Sequence, residues 1–383
     1  MLTIHPFPAR MAPEVARDVL AEIPTGSRVV DPMCGSGTVL RHAVEAGHEC
    51  TGRDIDPLAV IMARGWTSSI PVYRLTHDAA EVVRRASAMR ATAVHPPWDD
   101  GETEAFARYW FASTQYEALT RLSSALRRCR YRSRDLLILA LSRLIITKDR
   151  GASLARDVSH SRPHRVRDDN DFDVYDGFLT AARLIAKRLE PALIRGHATV
   201  EQGDARLICS GDRDGFDIAI TSPPYLNAID YLRGHRLTLI WLGYSLAELR
   251  ALRAAGTGSE RAVADGAFDI APFVKAPKGQ PLPDRYLGWV RRYSRDAAAT
   301  VESLRSAVRP NGKIVLVVGN SLIRGARVDN AGIIRRCAAD AGLDLIASRR
   351  RNIPARRRYL PPPHKGSALA TRMRTETVLT FVR

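Results

Sequence analysis

The chain has 383 residues with 58 Lys and Arg against 41 Asp and Glu, a formal charge of +17, and five cysteines. That length allows two domains or one α/β domain with a large insertion, and the scattered Cys34, Cys50, Cys129, Cys209 and Cys337, with no Cys-x-x-Cys pair or clustered histidines, exclude a zinc site. The basic excess favours a polyanionic partner such as nucleic acid, with the arginine-rich composition of a GC-rich genome as the plainer source of the same charge.

In chain order, Pro13 to Ile23 reads as a helix with Val15, Val19, Leu20 and Ile23 on one face. A strand over Arg28 to Asp31, a helix over Thr38 to Ala46 and a strand over Glu49 to Asp54 then make a βαβ opening. From about Ala79 to Ala198 the alternation stops, and Tyr116 to Arg128, Asp135 to Ile146 and Asp176 to Leu189 have helical periodicity. The apolar run from Leu136 to Ile146 is too short to span a bilayer and is broken by Ser142 and Arg143, and Met1 to Pro6 lacks the pattern of a signal peptide. A reduced, cytoplasmic setting is the expectation. Strands resume at Ala198 to Asp204, Phe216 to Thr221 and Lys313 to Gly319, compact apolar runs of the kind buried on both faces. Leu343 to Ser348 and Thr375 to Val382 read as a closing antiparallel pair around an arginine- and proline-rich loop.

Two strand ends carry chemistry. Asp31-Pro32-Met33-Cys34-Gly35-Ser36-Gly37-Thr38 is an acidic, glycine-rich turn that lets a nucleoside-bearing ligand approach bare backbone. At the end of the next strand, Asp54, or else Asp56, is placed to accept ribose hydroxyls. This spacing also suits a nicotinamide enzyme, but the loop is not Gly-x-Gly-x-x-Gly, and its leading acid would face a pyrophosphate. The second strand end is Thr221-Ser222-Pro223-Pro224-Tyr225, a stiff di-proline turn that presents a hydroxyl and an aromatic ring. His95-Pro96-Pro97-Trp98 superficially repeats that pattern without a convincing strand before it, and reads as structural.

These segments resemble the motifs of S-adenosylmethionine-dependent amino DNA methyltransferases. Asp31 to Thr38 resembles the first motif, Gly203-Asp204 the third, and His5-Pro6-Phe7-Pro8-Ala9-Arg10-Met11 the tenth, which lines the cofactor pocket. Ser222-Pro223-Pro224-Tyr225 resembles the catalytic motif in the serine form typical of cytosine-N4 enzymes. The resemblance covers residues 1–80 and 199–383 as the methyltransferase domain and leaves 81–198 as a helical insertion for target recognition or DNA clamping. It implies a Rossmann-like, seven-stranded, mostly parallel α/β sheet, S-adenosylmethionine as cofactor and no metal. The cofactor would be held by Phe7, Asp31, Met33, Gly35, Gly37, Thr38, Asp54, Asp56 and Asp204. Ser222, Pro223, Pro224 and Tyr225 would act on a base flipped out of double-stranded DNA, with Asn227, Asp230 and Tyr231 beside it. Arg162, Arg165 and Arg167 in the insertion, and the tail from Arg349 to Tyr359, would meet the DNA. A cognate restriction endonuclease is left open as a partner. Serine-type motifs more often precede the cofactor motif, whereas here they follow it. That order keeps open adenine-N6 or RNA amine methylation, and a DNA-binding protein that retains the cofactor without turnover is a third reading.

Overall fold

The computed structural model describes residues 3–7, 10–145, 147–148, 150–156, 163–189, 193–208, 215–226, 230–257, 268–353 and 375–383. The main sheet contains β1 (Arg28–Asp31), β2 (Glu49–Asp54), β3 (His197–Gln202), β4 (Phe216–Thr221), β5 (Val308–Gly319), β6 (Asp344–Asn352) and β7 (Thr375–Val382). Its spatial order is β6-β7-β5-β4-β1-β2-β3. All strands run the same way except β7, which is antiparallel to both β5 and β6. This is the Rossmann-like, seven-stranded, mostly parallel α/β sheet expected from the sequence.

Alternation along the strands divides its two faces. Val29, Ile218, Ile220, Val315 and Val317 join one core with α1 (Pro13–Leu20), α2 (Thr38–Ala46) and part of α3 (Pro57–Trp66). Their neighbours Val30, Ala219, Ile314, Leu316 and Val318 join a second core on the opposite face. The helices between β2 and β3 continue with α4 (Val72–Ser87), α5 (Gly101–Trp110), α6 (Ser113–Arg127), α7 (Arg134–Ile145) and α8 (Val174–Leu189). After β4 come α9 (Tyr231–Leu239) and α10 (Leu246–Ala255), and α11 (Asp284–Ala307) and α12 (Asn330–Asp340) cover the second core.

The helical insertion shares a core with the rest of the chain. Leu58, Met62 and Trp66 of α3 and Leu237, Leu239, Ile240 and Trp241 in and after α9 belong to the same apolar cluster as α4 to α8. Residue 81, the start of the insertion in the sequence reading, falls within α4. α7 is buried almost all round, which explains its long apolar run as a central helix. Among the described residues no helix is long and apolar enough to cross a membrane. Trp98 of the second di-proline segment is buried, packs edge-on against Trp241 and donates its indole N–H to Glu104, so that segment is structural.

The arginine-rich tail differs in part from expectation. β6 continues to Asn352, so Arg349, Arg350 and Arg351 lie in an edge strand paired with β7 instead of in a loop. Charged residues on an edge strand discourage pairing with other chains. Residues 354–374, with the rest of that tail, lie outside the described residues.

Candidate active site

The strand order reverses at β1, which has β2 on one side and β4 on the other. Loops leaving the carboxyl ends of strands diverge at such a point and open a crevice. The turn after β1 and the Ser222 turn after β4 therefore border one cavity of about 440 Å³, within the usual range for small-molecule sites.

On the β1 side, Asp31, Met33, Cys34, Gly35 and Thr38 line the cavity. The turn depends on its glycines: Gly35 and Gly37 have φ of 49° and 84°, and a Cβ on Gly37 would stand 2.9 Å from the Ala63 Cα. Gly37 caps α2 and is not itself on the cavity wall. Phe7 lies across Gly35, where a Cβ would meet its ring at 3.1 Å, and stacks on Tyr231 with centroids 4.7 Å apart. Pro8 and Ala9 of the same segment lie outside the described residues.

The carboxylates of this wall are desolvated. Asp31 is 3% exposed, and its pKa is pushed up to about 7 by burial, opposed by the Thr221 hydroxyl and the Met33 N–H and reinforced by the charge of Asp54. Asp54 rises to about 6 through burial and the charge of Asp56. Its two oxygens accept the Gly35 N–H at 2.8 Å and the Asp56 N–H at 2.9 Å. The carboxylate thus clamps two loops together, and each oxygen keeps a further lone pair toward the cavity. Burial, then the charges of Asp54 and Asp31, also keep Cys34 a neutral thiol.

Asp56 also lines the cavity and ties it to two helices. Its Oδ1 caps α3 through the Leu58 N–H at 2.9 Å, and its Oδ2 meets His235 Nδ1 at 2.5 Å. The Asp56 carboxylate is 5% exposed, whereas Asp54 is only half-buried and is the more open acid of the two on the cavity wall. Asp204 lines the cavity after β3 but is held by Arg206, whose Nε and Nη2 approach at 2.9 and 2.5 Å. Burial raises its pKa, and the Arg206 contacts more than offset that, leaving it below the ordinary carboxylate value.

On the β4 side, Ser222, Pro224 and Tyr225 line the cavity and Pro223 is buried behind them. The Ser222 hydroxyl donates to the Val317 carbonyl at 2.9 Å, which leaves its lone pairs as acceptors. The Tyr225 ring rests on the bare backbone of Gly319, where a Cβ would come within 2.8 Å of it. Beneath it lies the pair Glu376 and Arg351, 3.2 Å apart and mostly buried; burial raises the Glu376 pKa, with Arg351 opposing. Sequence reading missed this pair. The signal was the lone charged residue of β7, whose other positions are threonine or apolar.

Asp230 and Tyr231 are on the cavity wall, as expected, with Asp230 bridged to Arg253 at 2.7 Å. Arg165 and Arg167 are not brought to the cavity. Arg165 sits on a short hairpin of Ala155–Arg156 and His164–Arg165, over the Tyr109 ring and 3.1 Å from Asp168. Asn227 and Arg162 lie outside the described residues. The segment 252–257, which supplies Leu252, Arg253 and Gly256 to the cavity mouth, was not singled out from sequence.

No family model matches the sequence, and no curated protein matches it. Among solved structures, it is similar to a TehB-like S-adenosylmethionine-dependent methyltransferase from Corynebacterium glutamicum, at 11% identity over 98% of this chain and 89% of that one, with a TM-score of 0.34. A methyltransferase of the same cofactor class from Methanosarcina mazei shows 9% identity over 96% of each chain and a TM-score of 0.35. An rRNA methyltransferase from Streptomyces viridochromogenes shows 12% identity over 99% of this chain and 88% of that one, with a TM-score of 0.32. These likenesses are distant.

Proposed function

We propose that the protein is an S-adenosylmethionine-dependent methyltransferase that methylates the exocyclic N4 amine of cytosine in double-stranded DNA. The observation that carries this reading is the meeting, in one cavity at the switch point of the sheet, of a desolvated acidic glycine turn and a Ser-Pro-Pro-Tyr turn. The raised pKa values of Asp31 and Asp54 mark negative charge that the protein leaves uncompensated. A cationic ligand relieves that cost, whereas a dinucleotide pyrophosphate would add to it. S-adenosylmethionine carries sulfonium and ammonium charges, and when bound it supplies an electrophilic methyl group. Asp31 would face that positive charge, Asp54 would take the ribose hydroxyls with its remaining lone pairs, and Phe7 would cover the Gly35 backbone.

The amine of cytosine is a poor nucleophile because its lone pair is delocalised into the ring. Ser222, its proton committed to Val317, presents only acceptor lone pairs, and the Pro223 carbonyl supplies a second acceptor. Two hydrogens held in this way favour the pyramidal amine, whose lone pair is free to attack. The prolines fix the geometry in advance, and Tyr225 offers its ring as a stacking surface for the flipped base. The surplus amine proton goes to water, since a serine hydroxyl is too weak a base to keep it.

The test is mass spectrometry of nucleosides from DNA and RNA incubated with the protein and labelled cofactor. N4-methylcytosine in DNA is the expected product; label on adenine, on RNA or on a ring carbon would move the assignment. Ser222→Ala should lower the rate of transfer with cofactor affinity kept, and Tyr225→Ala should weaken hold on the base by about 1–3 kcal/mol. Full activity in both variants would remove this turn from the catalytic site.

A further inference from the structure

The charge of the cavity changes sign at its mouth. Inside are Asp31 and Asp54, but at the rim Asp230 is shared by Arg253 at 2.7 Å and Arg233 at 4.0 Å. Arg236, one turn along α9 from Arg233, lies over the Phe106 ring at 4.9 Å, and its Nε is buried with no hydrogen-bond partner. Burial, then the charge of Arg233, depresses its pKa; Asp230 opposes this and Arg253 adds to it. Three guanidinium groups thus share one carboxylate, which leaves two positive charges unmatched among the described residues. Such a cluster is stabilised by an incoming anion, and Asp230 and Arg253 put it on the cavity wall.

The cluster also has a continuation. Phe106 contacts Trp110 at 6.1 Å, Trp110 meets Tyr109 at 5.1 Å, and Arg165 covers the Tyr109 ring at 4.8 Å. Tyr109 is 51% exposed. An exposed Tyr109 and a half-buried Phe106, each beside an arginine, suit a strand that alternates phosphates with bases, and suit an acidic peptide less well because it would leave the rings unused.

We propose that Arg233, Arg236 and Arg253 grip the phosphodiester next to the nucleotide entering the cavity, and that Phe106, Tyr109 and Arg165 carry the same DNA strand outward over the helical layer. The proposal rests on the reading of the cavity as a base pocket. Asp230 holds the arginines in place before the strand arrives and competes with the phosphate for them.

The test is equilibrium binding of a fluorescent DNA duplex, and of an RNA of the same sequence, across a salt series with S-adenosylhomocysteine present. The double variant Arg233→Ala with Arg253→Ala should weaken duplex binding about tenfold and reduce the salt slope by about 0.9, the loss of one phosphate contact. Asp230→Asn should act in the opposite direction and bind DNA more tightly, which a merely structural role for Asp230 would not produce. Unchanged slope in the double variant, or weaker binding by Asp230→Asn, overturns the phosphate grip while leaving the base pocket standing. Wild-type protein that binds neither nucleic acid overturns the base-pocket reading and the grip with it. Binding of RNA alone, with the same response to the variants, keeps the grip and overturns DNA as its ligand.

Discussion

Asp31→Asn should make the empty protein more stable and the enzyme inactive. Moving a carboxyl group from 3.8 to about 7 makes its ionised form about 4 kcal/mol less favourable in the folded protein than in the unfolded chain, at 1.36 kcal/mol per pH unit. The sign follows from which state holds the proton. A raised acid binds its proton more tightly when folded, so its contribution is fully present below 3.8 and is lost as pH rises through about 7. Asparagine keeps the shape and an acceptor for the Met33 N–H, but carries no charge at any pH. The variant should therefore melt higher than wild type at pH 8, on the order of 5 °C for a chain of this size. At pH 5 the gap should shrink to less than half, because the wild-type carboxyl is then protonated in the folded state. Saturating S-adenosylmethionine should reverse the order, stabilising wild type by mass action and the variant much less. Thermal melts at the two pH values, with and without cofactor, measure all three effects. A variant that melts lower than wild type at pH 8, or a gap that does not change with pH, would refute the claim that Asp31 is an uncompensated buried charge.

Asp54→Ala should weaken S-adenosylmethionine binding by roughly 1.5–3 kcal/mol in calorimetry, since it removes an ionised acceptor and frees the Gly35 and Asp56 N–H groups. Unchanged affinity would separate the clamp from the ligand. Gly319→Ala should push the Tyr225 ring off its seat, because the new Cβ would stand 2.8 Å from it; product formation should fall while cofactor affinity holds. An equally active variant would show that the position of the ring does not matter.

The central elements were legible because their signals are local. The bounds of β1, α2, β2 and β4 match the sequence reading, because turn residues close each of them: Asp31 ends β1, Gly47 caps α2, Asp54 ends β2 and the Ser-Pro-Pro turn follows β4. The cavity walls followed, since strand ends fix where the loops emerge. What sequence could not show was the state of each side chain. Asp54 and Asp56 sit two residues apart and both line the cavity, yet Asp54 ties the turn after β1 to the turn after β2 while Asp56 caps α3 and holds His235. That difference depends on α9, which lies far along the chain. The pair of Glu376 and Arg351 beneath Tyr225 is likewise made by pairing between β6 and β7. That the helices of residues 81–198 share a core with α3 and α9 was hidden for the same reason: amphipathic helices declare that they bury a face, without saying against what.

The shared core bears on how the two halves of the cavity are kept in register. In the proposed reading the cofactor side is built on β1 and β2 and the base side on β4, and beyond the sheet these two walls are joined by buried contacts through α9. Asp56, at the end of β2, holds His235 of α9, while Phe7 beside the glycine turn stacks on Tyr231 at the start of the same helix. α9 in turn packs into the apolar cluster of α3 to α8. A shift of the turn after β4 must therefore move α9 against both the cofactor wall and the helical layer, or break a buried hydrogen bond to Asp56. In-line transfer tolerates little error in the distance between methyl group and amine. The helical layer thus has a mechanical role in addition to any contact with DNA: it backs the helix that ties the target turn to the cofactor turn.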